Sequence, residues 1–136
     1  GRDPGESRPR EIQGRVHVLG YLAEEKKEEL LGRAVALVYP SFYEGFGLPV
    51  LEAMAQGIPV VPSRGTVMEA VGGAAVLAVD PLSPVEMADA MERLVKEPIL
   101  WEELSRRGLE RAREYTWERT GCETRRFYTE FLGGGR

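Results

Sequence analysis

The sequence predicts an α/β fold, a Rossmann-like and largely parallel sheet flanked by helices. Three observations predict it. Short apolar runs rich in β-branched residues alternate with segments of helical composition. The joints between them are brief and marked by Gly, Pro and Ser. Two of the runs, "AVALVYP" and "IPVVPS", are apolar without interruption, as strands covered on both faces are. Right-handed crossovers between parallel strands then put helices on both sides of the sheet. A chain of 136 residues suffices for one domain with a core.

Each element has its own local reason. Residues 1–14, "GRDPGESRPREIQG", read as a polar arm with no signal-peptide apolar region. "RVHVLGY" is expected to be a short strand ending at Gly20, with His17 partly buried and structural between Val16 and Val18. "AEEKKEELLGRA" has helical composition, and Gly32 is its expected terminator. After the strand "AVALVYP", "PVLEAMAQG" is a helix stopped by Gly57. At 100° per residue its core face should hold Val50, Leu51, Met54 and Ala55, with Glu52 pointing off it. "IPVVPS" is the next strand, "TVMEAVGG" a short helix and "AAVLAVD" a further strand. "SPVEMADAMERLVKE" opens with a capping box: Ser83 as N-cap, Pro84 at the first helical position and Glu86 at the third. Residues 98–132 read as two helices split near "YTW", Thr116 capping the second, and 133–136 as a flexible tail. Trp117, Phe127, Tyr128 and Phe131 form a stripe of the kind that normally joins a core; any uncovered part would favour association.

Composition narrows the function. A net charge of −4 argues against nucleic acid or an anionic membrane as partner. The single Cys122 excludes an internal disulfide and is expected to be an inert thiol. With one histidine beside it there is no metal-ligand cluster, so neither a metal nor another cofactor is expected. The apolar runs are too short to form a transmembrane segment, and a cytoplasmic setting fits best.

In open parallel sheets, ligands sit at the carboxyl ends of strands beside helix N-termini. "SFYEGFGLPVLEA", residues 41–53, falls there. Gly45 and Gly47 permit positive φ and close approach to the main chain. Leu48 and Pro49 open a helix whose first amides, free of internal partners, suit a phosphate or a row of hydroxyls. Glu44 stands before the glycines, and Glu52 about one turn into the helix. Two carboxylates flanking amide donors match a ligand with hydroxyls at both ends and an anion between, the layout of a nucleotide sugar. A plain connecting loop, with Glu52 favoured by the helix dipole alone, stays open beside that reading.

The run "EGFGLPVLE", Glu44 to Glu52, has the E-x7-E spacing and resembles the retaining glycosyltransferases of the family 4 (group 1) type. "VHVLGYL" before it, and "GGAAVLAVDPLSPVEMADAMERLV" and "REYTWERT" after it, extend the similarity over residues 15–132 in order. The resemblance implies the C-terminal half of a GT-B fold, with 15–132 as a partial donor-binding domain truncated at its N-terminus. It implies that Glu44 contacts the donor sugar and is the catalytic candidate, and that Gly45, Phe46, Gly47 and Leu48 support sugar and diphosphate. Glu52 would bind the ribose hydroxyls, and Gly20 and Tyr21 would lie near the base. Arg64, in the loop after a strand, and Glu69 are candidates for base or phosphate contacts; a plain loop arginine and a helix cap are the competing explanations.

The donor would be a UDP-, GDP- or ADP-sugar, and no metal is expected. The acceptor would be bound by a missing N-terminal domain, through which the protein could be peripheral at a membrane, and this chain alone is expected to be inactive. The alternative is a non-catalytic Rossmann-like module that binds nucleotides or a protein partner. A GT-B epimerase or phosphorylase finds no support in these residues.

Overall fold

The computed structural model describes residues 14–133. Residues 1–13 of the expected arm and 134–136 of the expected tail lie outside them. In chain order the elements are α1 (Glu24–Gly32), β1 (Leu37–Tyr39), α2 (Leu48–Ala55), β2 (Val60–Pro62), α3 (Val67–Gly72), α4 (Pro84–Lys96), α5 (Pro98–Ala112) and α6 (Trp117–Gly133). The α/β class is as expected.

β1 and β2 pair in parallel, Leu37 opposite Val60 and Tyr39 opposite Pro62. On the other edge of β2, Val76 and Val79 form single parallel bridges to Val60 and Ser63. β2 is therefore the inner strand, and alternation along it serves two cores. Val60 joins Val50, Ala53, Met54, Ile58, Met68 and Ala75 on one face, where α2 and α3 pack. Val61 joins Val79, Ala90, Leu94 and Leu104 on the other, where α4 and α5 pack.

Five sequence expectations change. "RVHVLGY" forms no strand: residues 16–20 carry none, and His17 is exposed rather than partly buried. β propensity is expressed only where a neighbouring ladder and a packed face receive it. "AVALVYP" yields a strand of only three residues, and although Leu37 and Tyr39 meet one core and Val38 the other, each stays half-buried. "AAVLAVD" is reduced to two bridges, because a 3₁₀ turn over Gly73–Ala75 occupies its start. On α2 the buried residues are Val50, Ala53 and Met54, while Leu51 is half-buried and Ala55 exposed. The aromatic stripe of α6 is not core: Trp117, Phe127, Tyr128 and Phe131 are all exposed.

A glycine turn closes α2 and launches β2. Gly57 takes φ 71°; its amide donates to the Met54 carbonyl at 3.0 Å and that of Ile58 to Ala53 at 2.9 Å, a Schellman pair. The turn feeds Ile58 into the core just before β2 begins. Gly32, by contrast, is the last residue of α1, with Arg33 as the cap. A Cβ on Gly32 would stand 2.8 Å from Gln56 Oε1, so its glycine marks close contact between α1 and the end of α2.

Candidate functional site

β1 ends at Tyr39, and the eight residues 40–47 lead from it to α2. Gly47 is the N-cap of that helix at φ 86°, a left-handed conformation that costs any residue with a Cβ. It is also buried against α3, where an added Cβ would lie 2.8 Å from Met68 Cγ. Gly45 differs: it has no positive φ, and a Cβ there would meet nothing within 4 Å. Only one of the two glycines is thus demanded by the turn.

The helix start presents donors. Pro49 has no N–H, and the Val50 amide turns back to the Gly47 carbonyl at 2.9 Å. Among the described residues, the amides of Gly45, Phe46, Gly47 and Leu48 donate to no protein acceptor. These are four successive donors that run from the loop into the positive end of a helix, a chemistry suited to an anion.

A carboxylate stands at each end of this run, each with one oxygen engaged. Glu44 is half-buried, and its Oε1 accepts from the Tyr39 hydroxyl at 2.8 Å. That hydrogen bond, then burial, holds the Tyr39 hydroxyl above its ordinary pKa of 10.0. Glu52 Oε2 accepts from Lys27 Nζ at 2.9 Å, and the same ammonium lies 2.6 Å from Glu24 Oε1. These two carboxylates, Glu24 first, hold Lys27 firmly in its charged form. Among the described residues Glu44 Oε2 and Glu52 Oε1 have no hydrogen-bond partner.

Phe46 is held from across the chain. Its ring meets Tyr115 edge to face at 5.9 Å. Tyr115 in turn accepts from Arg111 at 2.8 Å and lies under its guanidinium, 5.1 Å away. Arg111 Nε donates to the Val71 carbonyl at 2.9 Å, which ties the group to α3. Beside Phe46 a groove of about 530 Å³ opens between α2 and the start of α6, lined by Leu48, Leu51, Glu52, Tyr115 and Trp117 among others.

The remaining sequence candidates lie in other surroundings. Arg64 donates to the Ala78 carbonyl at 3.3 Å and to Glu86 at 2.8 Å, so its guanidinium is committed towards α4. Glu69 accepts from the Gly65 amide at 2.6 Å and caps the turn before α3. Tyr21 is 97% exposed, beside Gly20 at φ 64°. Lys27, Tyr39, Arg111 and Tyr115 were absent from the sequence candidates. Their roles arise from contacts between elements, and none carries a local spacing signal. Cys122 is exposed on α6. Among the described residues no His, Cys, Asp and Glu cluster could hold a metal, and no helix is long and apolar enough to cross a membrane.

Comparison with known proteins identifies the family of the chain. The family profile described as "Glycosyl transferases group 1" matches residues 6–114. The O-antigen chain mannosyltransferase B of Escherichia coli is 41% identical over 113 residues, covering 82% of this chain and 29% of that protein. An MMP alpha-(1->4)-mannosyltransferase of Mycolicibacterium hassiacum is 37% identical over 121 residues, covering 86% and 29%. Among solved structures, the sucrose-phosphate synthase of Thermosynechococcus elongatus superposes with a TM-score of 0.80 at 27% identity, covering 92% of this chain and 32% of that one. The chain therefore spans about a third or less of the length of the proteins it matches.

Proposed function

The chain belongs to the group 1 glycosyl transferases, and from that membership we propose that it forms the donor-binding part of a retaining sugar transferase. The observation that carries this reading is the run of four free amides, Gly45 to Leu48, set between two carboxylates that each keep one oxygen open. The amides receive the diphosphate of a nucleoside diphosphate sugar. Glu44 accepts from hydroxyls of the sugar, and Glu52 from those of the ribose. In the transfer, the bond from the anomeric carbon to the diphosphate breaks, and one to an acceptor oxygen forms with the configuration kept. The leaving diphosphate gains charge as this happens, and fixed amides stabilise that charge without having to reorganise. Because the relatives are more than three times the length this chain covers, the acceptor is assigned to a part of the protein outside it.

Thermal melting against UDP-glucose, UDP-N-acetylglucosamine, GDP-mannose and ADP-glucose tests the proposal. Two of the relatives above are mannosyltransferases by name, so GDP-mannose comes first. A donor at a hundredfold excess over its dissociation constant should stabilise the fold by about 2.7 kcal/mol. The shift should vanish in Glu52→Ala. A cooperative melt that none of the four donors moves would overturn the reading in favour of a non-catalytic module.

A further inference from the structure

Twelve ion pairs join described side chains, and ten of them link positions three or four apart on one helix or its immediate end. The two exceptions are Arg64 with Glu86, which lies away from the candidate site, and Lys27 with Glu52, which lies in it. Lys27 belongs to α1, a helix with no buried residue, yet its ammonium crosses to α2 and takes one oxygen of Glu52. Glu24, one turn earlier on α1, holds the same ammonium from the other side. The Gln56 side chain, at the end of α2, also lies against Gly32 at the end of α1.

The Lys27 ammonium, held at two points, in turn holds one oxygen of a flexible side chain. Glutamate has three rotatable bonds, and fixing it when a ligand arrives costs entropy that a pre-existing partner reduces. The ammonium occupies Oε2 and leaves Oε1, and both side chains keep 41% exposure, so the open oxygen remains within reach of a ligand. Resting on the assignment of Glu52 to the ribose, we propose that Lys27 is a positioning residue that sets the preference of this site for a ribose over a 2′-deoxyribose. Lys27 does not touch the ligand; it holds the carboxylate in one orientation, so that the free oxygen can accept from the hydroxyl pair.

The test is equilibrium titration of the full chain with UDP, GDP and ADP and with their 2′-deoxy counterparts. The intact protein should prefer the ribonucleotide it binds by about tenfold, the worth of one hydrogen bond to a charged group. Glu52→Gln should bring that ratio close to one. Lys27→Met should cut it to about two- to threefold, while Lys27→Arg keeps most of it and Lys26→Met, the same charge change on the neighbouring position, keeps all of it. Thermal midpoints measured alongside should stay near that of the intact protein, because exposed ion pairs contribute little to folding. A full preference in Lys27→Met together with its loss in Glu52→Gln overturns the role of Lys27 alone. A preference that survives Glu52→Gln, or no binding of any of the three nucleotides, overturns the ribose assignment and the proposal with it.

Discussion

At the scale of single residues, the two glycines of "EGFG" separate backbone demand from ligand approach. Gly47 needs its missing Cβ twice, for φ 86° and for the contact with Met68. Gly47→Ala should therefore destabilise the fold by about 2–5 kcal/mol, the sum of a left-handed penalty and local overpacking. Gly45→Ala, with open space around the added methyl, should change stability by no more than about 0.5 kcal/mol. Denaturant unfolding of both variants measures this, and equal midpoints would sink the account of Gly47. Any loss of donor binding in Gly45→Ala would then report the ligand's approach to the main chain rather than damage to the turn. In the sequence the two glycines look alike. The close approach of one and not the other to α3, whose Met68 is twenty-one positions away, is encoded by no local pattern.

At the scale of elements, the part legible in the sequence is the part that local chemistry alone decides. Ser83 caps α4 as its spacing predicts, accepting from the Glu86 amide at 3.2 Å, and Thr116 caps α6 in the same way. The second half of the expected capping box fails. Glu86 does not return to the Ser83 amide but accepts from the Asp80 amide at 3.1 Å and from Arg64, and Arg64 lies twenty-two residues earlier. Burial of the strands escaped in the same way, since "AVALVYP" and "IPVVPS" are equally apolar and only topology makes β2 the inner one. The diverted Glu86 gives a pH prediction. The Asp80 amide, then Arg64, holds its carboxyl below the ordinary value of 4.5. A carboxyl lowered by folding stabilises the fold above its unfolded value, and that contribution is lost as pH falls through the folded one. Glu86→Gln, which mimics the protonated side chain, should melt lower than the intact protein at neutral pH. The gap should narrow once pH drops below about 4.5 and close in stronger acid. A gap that stays constant or widens with acid would contradict the assigned contacts.

At the scale of the whole molecule, periodicity shows that a helix has an apolar face, but not what covers it. The stripe on α6 has the spacing of a core helix, yet all the residues 117–132 are exposed. The core ends with α5, whose Leu104 and Gly108 are buried and whose Trp101 donates from Nε1 to the Val35 carbonyl at 2.7 Å. The two tryptophans of the chain thus report on different parts of it: Trp101 pins α5 beside β1, half-buried, whereas Trp117 at the start of α6 is 84% exposed. Acrylamide quenching should resolve two populations, one protected and one open. Trp117→Phe should leave only the protected emission, with its maximum at shorter wavelength, and Trp101→Phe only the readily quenched one. Neither pattern requires a ligand, so the measurement isolates the packing of α6 from the function of the site. Protected emission from Trp117 in the Trp101→Phe variant would mean that α6 is covered in solution. If dilution then exposed it, a second copy of the chain would be the cover; if dilution left it protected, α6 would have to fold back onto the groove beside Phe46 that it borders here.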